Sequence, residues 1–266
     1  MDERPIGIFD SGFGGLTVVR ALLDLLPDER LVYLGDTGRY PYGPRPAEEV
    51  RQFSVELTSA LVERHDVKMV VVACNTAASV ALEELRARFR VPVLGVIEPG
   101  LRAAIQATRN ARVGVIGTVG TIASGSYQKM AEVIRAPVNL HCAACPGFVE
   151  FVERGELDSD QVHVLAERLL APLCDRGVDT LLLGCTHYPY LARTIGDVMG
   201  REVVLVSSAE ETAFDVRAVL VATGLGRPPG DPPLHRFYSS GDVGHFAAMG
   251  GRLLGSEIEV AEPLVC

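Results

Sequence analysis

The chain has 266 residues, 48% of them apolar, a formal charge of −9 at pH 7 and six cysteines. That size buries a sizeable core, as one large domain or two smaller ones, while an acidic balance with no basic stripe or tail excludes a nucleic-acid partner, whose affinity comes mainly from Lys and Arg on phosphates. No apolar run approaches the roughly 20 residues that span a bilayer, and Met1-Asp2-Glu3-Arg4-Pro5 lacks the basic start of a secretion signal, so the sequence reads as cytosolic, with no membrane partner.

In chain order, Ile6-Gly7-Ile8-Phe9 is the first predicted strand, followed by the glycine-rich turn Asp10-Ser11-Gly12-Phe13-Gly14-Gly15 and a helix from about Leu16 to Leu26 that Pro27 stops. Leu31-Val32-Tyr33-Leu34 is the second strand. Met69-Val70-Val71-Val72 is the third; it leads into Cys74-Asn75-Thr76 and a helix from about Ala77 to Phe89, and Val93 to Ile97 is the fourth. Later, Ser208-Ala209-Glu210-Glu211 reads as a capping box opening a helix, Gly224 to Pro233 as a loop and Arg236 to Ser239 as a late strand. Short apolar runs alternating with amphipathic stretches predict an α/β protein whose sheets are mainly parallel and covered on both faces.

The set of elements begins again partway along the chain. Val67-Lys68-Met69-Val70-Val71-Val72-Ala73-Cys74-Asn75-Thr76 lines up with Val178-Asp179-Thr180-Leu181-Leu182-Leu183-Gly184-Cys185-Thr186-His187, cysteine against cysteine, and Ile6 to Phe9 lines up with Val113-Gly114-Val115-Ile116. Phe9 precedes Cys74 by 65 residues and Ile116 precedes Cys185 by 69, so two similar α/β halves are expected. Each cysteine then falls just past the carboxyl end of a strand, the edge where open α/β sheets place ligands, and two such edges facing each other enclose a cleft.

Two thiols across a cleft suit one kind of chemistry. Taking a proton from a carbon and returning it to the other face needs a base on one side and an acid on the other, and a thiol, with an ordinary pKa near 8.5, serves as either. Either cysteine alone reads equally well as strand-end packing; the in-register pair does not. Asn75-Thr76 and Thr186-His187 follow the thiols at predicted helix starts, where side chains and free N–H groups suit a carboxylate, although Thr76 and Thr186 also suit plain capping. His187 is placed either to pair with Cys185 or to sit satisfied in the interior. Asp10 at a strand end repels the pyrophosphate that a glycine-rich loop would otherwise suggest; it fits a substrate ammonium or an assistant to Cys74, with Ser11 adding a hydrogen bond, and Gly14 and Gly15 read as turn and packing residues.

Other features read as structural. Asp36 has the spacing of a ribose contact but no phosphate loop to go with it, and Tyr40-Pro41-Tyr42-Gly43-Pro44 is a rigid loop able to cap a small pocket. Cys142-x-x-Cys145 lacks the second ligand pair that a structural zinc needs, and Cys142, Cys174 and Cys266 read as small buried hydrophobes in a reducing compartment.

Together Ile8-Phe9-Asp10-Ser11-Gly12-Phe13-Gly14-Gly15-Leu16-Thr17, Gly35-Asp36-Thr37, Pro41-Tyr42-Gly43, Ala73-Cys74-Asn75-Thr76-Ala77, Gly95-Val96-Ile97-Glu98-Pro99 and Gly184-Cys185-Thr186-His187-Tyr188-Pro189 resemble the glutamate racemases. Further matches are Gly117-Thr118, Thr121 and Ala144-Cys145-Pro146-Gly147-Phe148 up to Val152-Glu153, though similar proteins often carry a bulkier apolar residue where Gly147 stands. The resemblance implies two pseudo-symmetric α/β domains, taken as 1–97 plus 208–266 on the Cys74 side and 98–207 on the Cys185 side, with the substrate between them. It implies no pyridoxal phosphate, metal or nucleotide in the chemistry, Cys74 and Cys185 as the acid/base pair, Asp10 as partner of Cys74, and His187 with Glu153 on the Cys185 side. Ser11, Tyr42, Gly43, Asn75, Thr76, Thr118, Thr121 and Thr186 would hold the glutamate's ammonium and carboxylates, together with Asp10 and His187. A homodimer and a product, D-glutamate, destined for peptidoglycan precursors are also implied. Two other readings stay open at this level: a racemase of the same fold for another amino acid such as aspartate, and a non-catalytic nucleotide-binding module built on the Asp10 loop. A thiol hydrolase leaves the second cysteine unexplained.

Overall fold

The computed structural model describes residues 1–255, 258 and 261–264; Cys266 lies outside them. The first run of elements is β1 (Ile6–Asp10), α1 (Leu16–Leu25), β2 (Leu31–Gly35), α2 (Ala47–Arg64), β3 (Met69–Val72), α3 (Asn75–Arg88), β4 (Val93–Gly95) and α4 (Ile97–Ala107). The second is β5 (Arg112–Gly117), α5 (Val119–Ala123), α6 (Ser126–Val133), β6 (Asn139–Ala144), α7 (Phe148–Arg154), α8 (Asp160–Asp175), β7 (Thr180–Gly184), a 3-10 turn at Tyr188–Leu191, α9 (Ala192–Met199) and β8 (Val204–Ser207). The chain closes with α10 (Ala209–Thr223), β9 (Arg236–Ser239), α11 (Val243–Leu254) and β10 (Glu262–Pro263).

These strands form two sheets, ordered β10-β9-β2-β1-β3-β4 and β6-β5-β7-β8, with every described pairing parallel. The order β2-β1-β3-β4 repeats as β6-β5-β7-β8, so the sequence repeat is a repeat of topology, and each cysteine leaves the strand beside the opening strand of its half. Buried runs such as the fully covered Met69 to Val72 and Leu181 to Leu183 explain why these strands read as continuous apolar segments: helices lie on both faces. One hydrophobic cluster surrounds the first sheet and a second lies under α7, α8 and α9, while α4 packs on β7, β8 and α10 and ties the halves together.

Two boundary expectations change. The fourth strand ends at Gly95 rather than Ile97, because α4 starts there, with Pro99 in a first turn whose N–H groups have no helical partner. The capping box at Ser208 does not form: Ser208 is itself helical in backbone angle and its side chain packs on Gly100, while Ser207 Oγ accepts from the Ala209 N–H at 3.3 Å.

At the amino-terminal edge of the first sheet, far along the strands from the thiols, Lys68 Nζ donates to Glu29 at 2.5 Å and to the Asp2 carbonyl at 3.0 Å, and Glu29 also accepts from the Arg227 N–H at 2.8 Å. Both charged side chains are buried, so this cluster pins the 224–233 loop to the domain. Breaking a buried pair by removing one partner costs about 3–5 kcal/mol. Lys68→Met is therefore expected to lower the free energy of urea unfolding by about 3 kcal/mol, with the activity of the folded fraction retained.

Candidate active site

The thiols are positioned by strand ends. Cys74 is the N-cap residue of α3: its backbone is extended, its sulfur accepts from the Ala77 N–H at 3.5 Å, and the thiol donates to Ser11 Oγ at 3.6 Å. Asn75 and Thr76 thus occupy the first turn, where N–H groups are free to meet an anion. On the other side Cys185 follows β7, but the expected helix at Thr186-His187 is replaced by the 3-10 turn Tyr188–Leu191, with Pro189 near its start.

Both sulfurs line one cavity. Ten of the thirteen expected site residues line it: Ser11, Tyr42, Gly43, Cys74, Asn75, Thr76, Thr118, Cys185, Thr186 and His187. Asp10, Thr121 and Glu153 stand one layer behind. Asp10 is fully buried and accepts from the Gly12 N–H at 2.9 Å and from Thr186 Oγ1 at 3.2 Å, so its direct bond runs to the Cys185 side and it acts on Cys74 through charge. Thr121 joins Thr118 at 2.9 Å and Thr76 at 3.3 Å in a hydroxyl cluster that spans the two halves. Asp10 and Thr121 each bond a residue that lines the cavity, Thr186 and Thr118 respectively.

The electrostatics differ between the thiols. Burial, then the charge of Asp10, pushes the Cys74 thiol up to about 12, against the pull of the Ala77 N–H and Ser11. Across the cavity His187 Nδ1 lies 4.0 Å from Cys185 Sγ and Nε2 donates to Glu153 Oε1 at 2.7 Å. Burial opposes a charge on His187, but the hydrogen bonds and charges of Cys185 and Glu153 outweigh it and push the imidazole up to about 10. A buried imidazolium beside Cys185 is the counterion a thiolate requires. Asp10 is pushed up by burial, countered by the His187 charge.

Several parts were not legible beforehand. Tyr127, buried on α6, accepts from Asn75 Nδ2 at 3.0 Å and fixes the amide, leaving Asn75 Oδ1 buried without a protein partner. Cys145 lines the cavity as a third thiol, which burial, then the Cys185 charge, pushes up to about 12. The 40–44 loop lines the cavity as expected, and Asp36 is its prop: buried Asp36 accepts from Tyr42 Oη, from Arg39 Nε at 2.7 Å and from Ser240 Oγ at 2.6 Å. Cys142 is half-buried and Cys174 exposed, correcting the expectation that both are buried. Gly147 opens α7, the helix of Glu153, at φ +94°, a conformation that favours glycine.

Thiols just past matching strand ends of two repeated parallel α/β halves, both lining one cavity, define a two-thiol class of α/β protein. The chain belongs to the Asp/Glu/Hydantoin racemase family, whose description matches residues 14–213. It is 53% identical to a glutamate racemase of Acidothermus cellulolyticus over 97% of this chain and 98% of that one. Among solved structures it is similar to glutamate racemase isoform RacE1 from Bacillus anthracis (TM-score 0.94, 40% identity, 100% and 98% of the chains). It is also similar to the Francisella tularensis glutamate racemase in complex with D-glutamate (0.92, 30%, 100% and 98%). An aspartate racemase from Picrophilus torridus shares only the fold, at 17% identity and TM-score 0.57 over 83% and 94% of the chains.

Proposed function

We propose that this protein interconverts L- and D-glutamate by passing the α-proton between Cys185 and Cys74, which approach the carbon from opposite faces. The observation that carries the reading is that two thiols, from corresponding positions of the two halves, line one cavity, with His187 Nδ1 4.0 Å from one of them. In one direction the Cys185 thiolate takes the α-proton as the C–H bond breaks, and the Cys74 thiol gives its proton to the other face, becoming the thiolate. In the other direction the roles exchange. Two thiols supply both transfers, so the mechanism asks for no electron sink beyond the substrate's own carboxylate, whose developing charge the N–H groups of Asn75 and Thr76 are placed to hold. Asn75 Oδ1, fixed by Tyr127, is an acceptor for the ammonium, and Tyr42, Gly43 and Thr118 remain for the distal carboxylate. Asp10, as partner of Cys74, and Thr121 join the groups that hold the substrate, while Glu153 supports through His187.

The same reading takes the domains as 1–97 plus 208–266 and 98–207, and follows the family resemblance in making the enzyme a cytoplasmic homodimer that supplies D-glutamate for peptidoglycan. No helix among the described residues is long and apolar enough to cross a membrane. The test is loss of optical rotation from pure L-glutamate, and separately from L-aspartate, by protein dialysed against a chelator and treated with hydroxylamine. Full activity is expected, with glutamate preferred at least tenfold, as one methylene in a fitted pocket allows. Preference for aspartate, or inhibition that pyridoxal phosphate reverses, would sink the reading.

A further inference from the structure

His187 belongs to the second half of the chain, as do its hydrogen-bond partners Cys185 and Glu153, yet Gly14 and Tyr40 of the first half also close on it. A Cβ built on Gly14 would lie 2.3 Å from Thr186 Oγ1, 2.5 Å from His187 Nδ1 and 2.8 Å from His187 Cε1, distances real Cβ atoms do not take. Gly14 is not among the glycines with positive φ, so backbone conformation does not demand glycine there; the space does. Tyr40, also from the first half, tilts over the same imidazole with ring centroids 6.1 Å apart and planes at 34°, and Asp10 takes the Thr186 hydroxyl. The three nearest atoms to that Cβ belong to Thr186 and His187, with none from Cys74 or Ser11.

We propose that Gly14 is a positioning residue for the Cys185 half of the reaction: its bare α-carbon is the seat that lets Thr186 and the His187 ring dock against the first half, which sets His187 Nδ1 on Cys185. The first half thereby controls the acid–base machinery of the second, and the Cys185 arm is assembled only when the two halves are closed on each other. The inference rests on the two-thiol reading above, and the experiment separates the two.

The readout is chloride elimination from each enantiomer of β-chloroalanine. One thiolate removes the α-proton, the electron pair forms the Cα–Cβ double bond and chloride leaves, so no reprotonation by the second thiol is needed. Cys185→Ala and Cys74→Ala first establish which enantiomer each thiol serves; loss of the same enantiomer in both overturns the two-thiol reading itself. Given opposite losses, Gly14→Ala is expected to lose about 100-fold for the enantiomer that Cys185→Ala abolishes, the scale of a displacement near 1 Å, and to stay within about threefold for the other. Tyr40→Leu, which removes the first-half ring tilted over the imidazole, should shift the enantiomer ratio in the same direction by about tenfold, and it decides alone if Gly14→Ala does not fold. Equal loss for both enantiomers, or no change in the ratio, overturns the seat while leaving the two-thiol reading in place.

Discussion

Replacing Cys74 or Cys185 by Ala is expected to abolish racemisation of glutamate, a loss beyond about 10³-fold, and the double variant should be little worse than either single one. The reason is stereochemical. A single base that returned its proton to the face it came from would not invert the carbon, so the groups act as a unit and their deletions do not add. Cys→Ser at either position should be nearly as severe, because a hydroxyl supplies almost no anion at neutral pH. Transfer of solvent deuterium and polarimetry of the two enantiomers measure this directly. Near-native racemisation by either Ala variant would overturn the mechanism. The asymmetry of the site adds a detail: Cys74 is held as a thiol by burial and Asp10, whereas Cys185 Sγ faces His187 Nδ1 at 4.0 Å.

What the sequence revealed follows from which interactions are local. The apolar runs of β3 and β7 end in Cys74 and Cys185 in the same register, so the repeat and the thiol pair could be read together, and the topological repeat is its direct consequence. Side-chain direction past a strand end is not encoded by spacing, which is why the bonds of Asp10 to Thr186 and of Thr121 to Thr118 could not be read beforehand. Ser240 props Asp36 across 204 residues of chain, and Tyr127 meets Asn75 from a helix of the other half; no local pattern announces either. Cys174 was legible in principle. The buried stripe of α8 runs through Val162, Ala166, Leu170 and Leu173, and the next residue falls off it. Gly14 shows the deeper limit: a glycine required by a neighbour from another part of the chain looks like any turn glycine until the fold brings His187 against it.

Removing the imidazole is the second large expected effect. His187→Asn should lower kcat for glutamate by about 100-fold or more, the range of a positioned acid–base group, because the Cys185 thiolate loses the charge 4.0 Å from its sulfur. The native enzyme should be flat in kcat/KM through neutral pH and fall as pH rises through about 10, where the imidazolium loses its proton; the variant should lack that alkaline limb. Glu153→Gln, which weakens the 2.7 Å partner on Nε2, should move the limb to lower pH without removing it. Stability carries the same sign. The imidazole is raised from 6.5 in the unfolded chain to about 10 in the fold, so its contribution is whole below 6.5 and is lost as pH climbs toward 10. The urea midpoint of the native protein should therefore fall more between pH 6 and pH 10 than that of His187→Asn. An unchanged alkaline limb in the variant, or equal pH dependence of the two midpoints, would show that His187 is neutral in the folded enzyme and that Cys185 draws its charge from elsewhere.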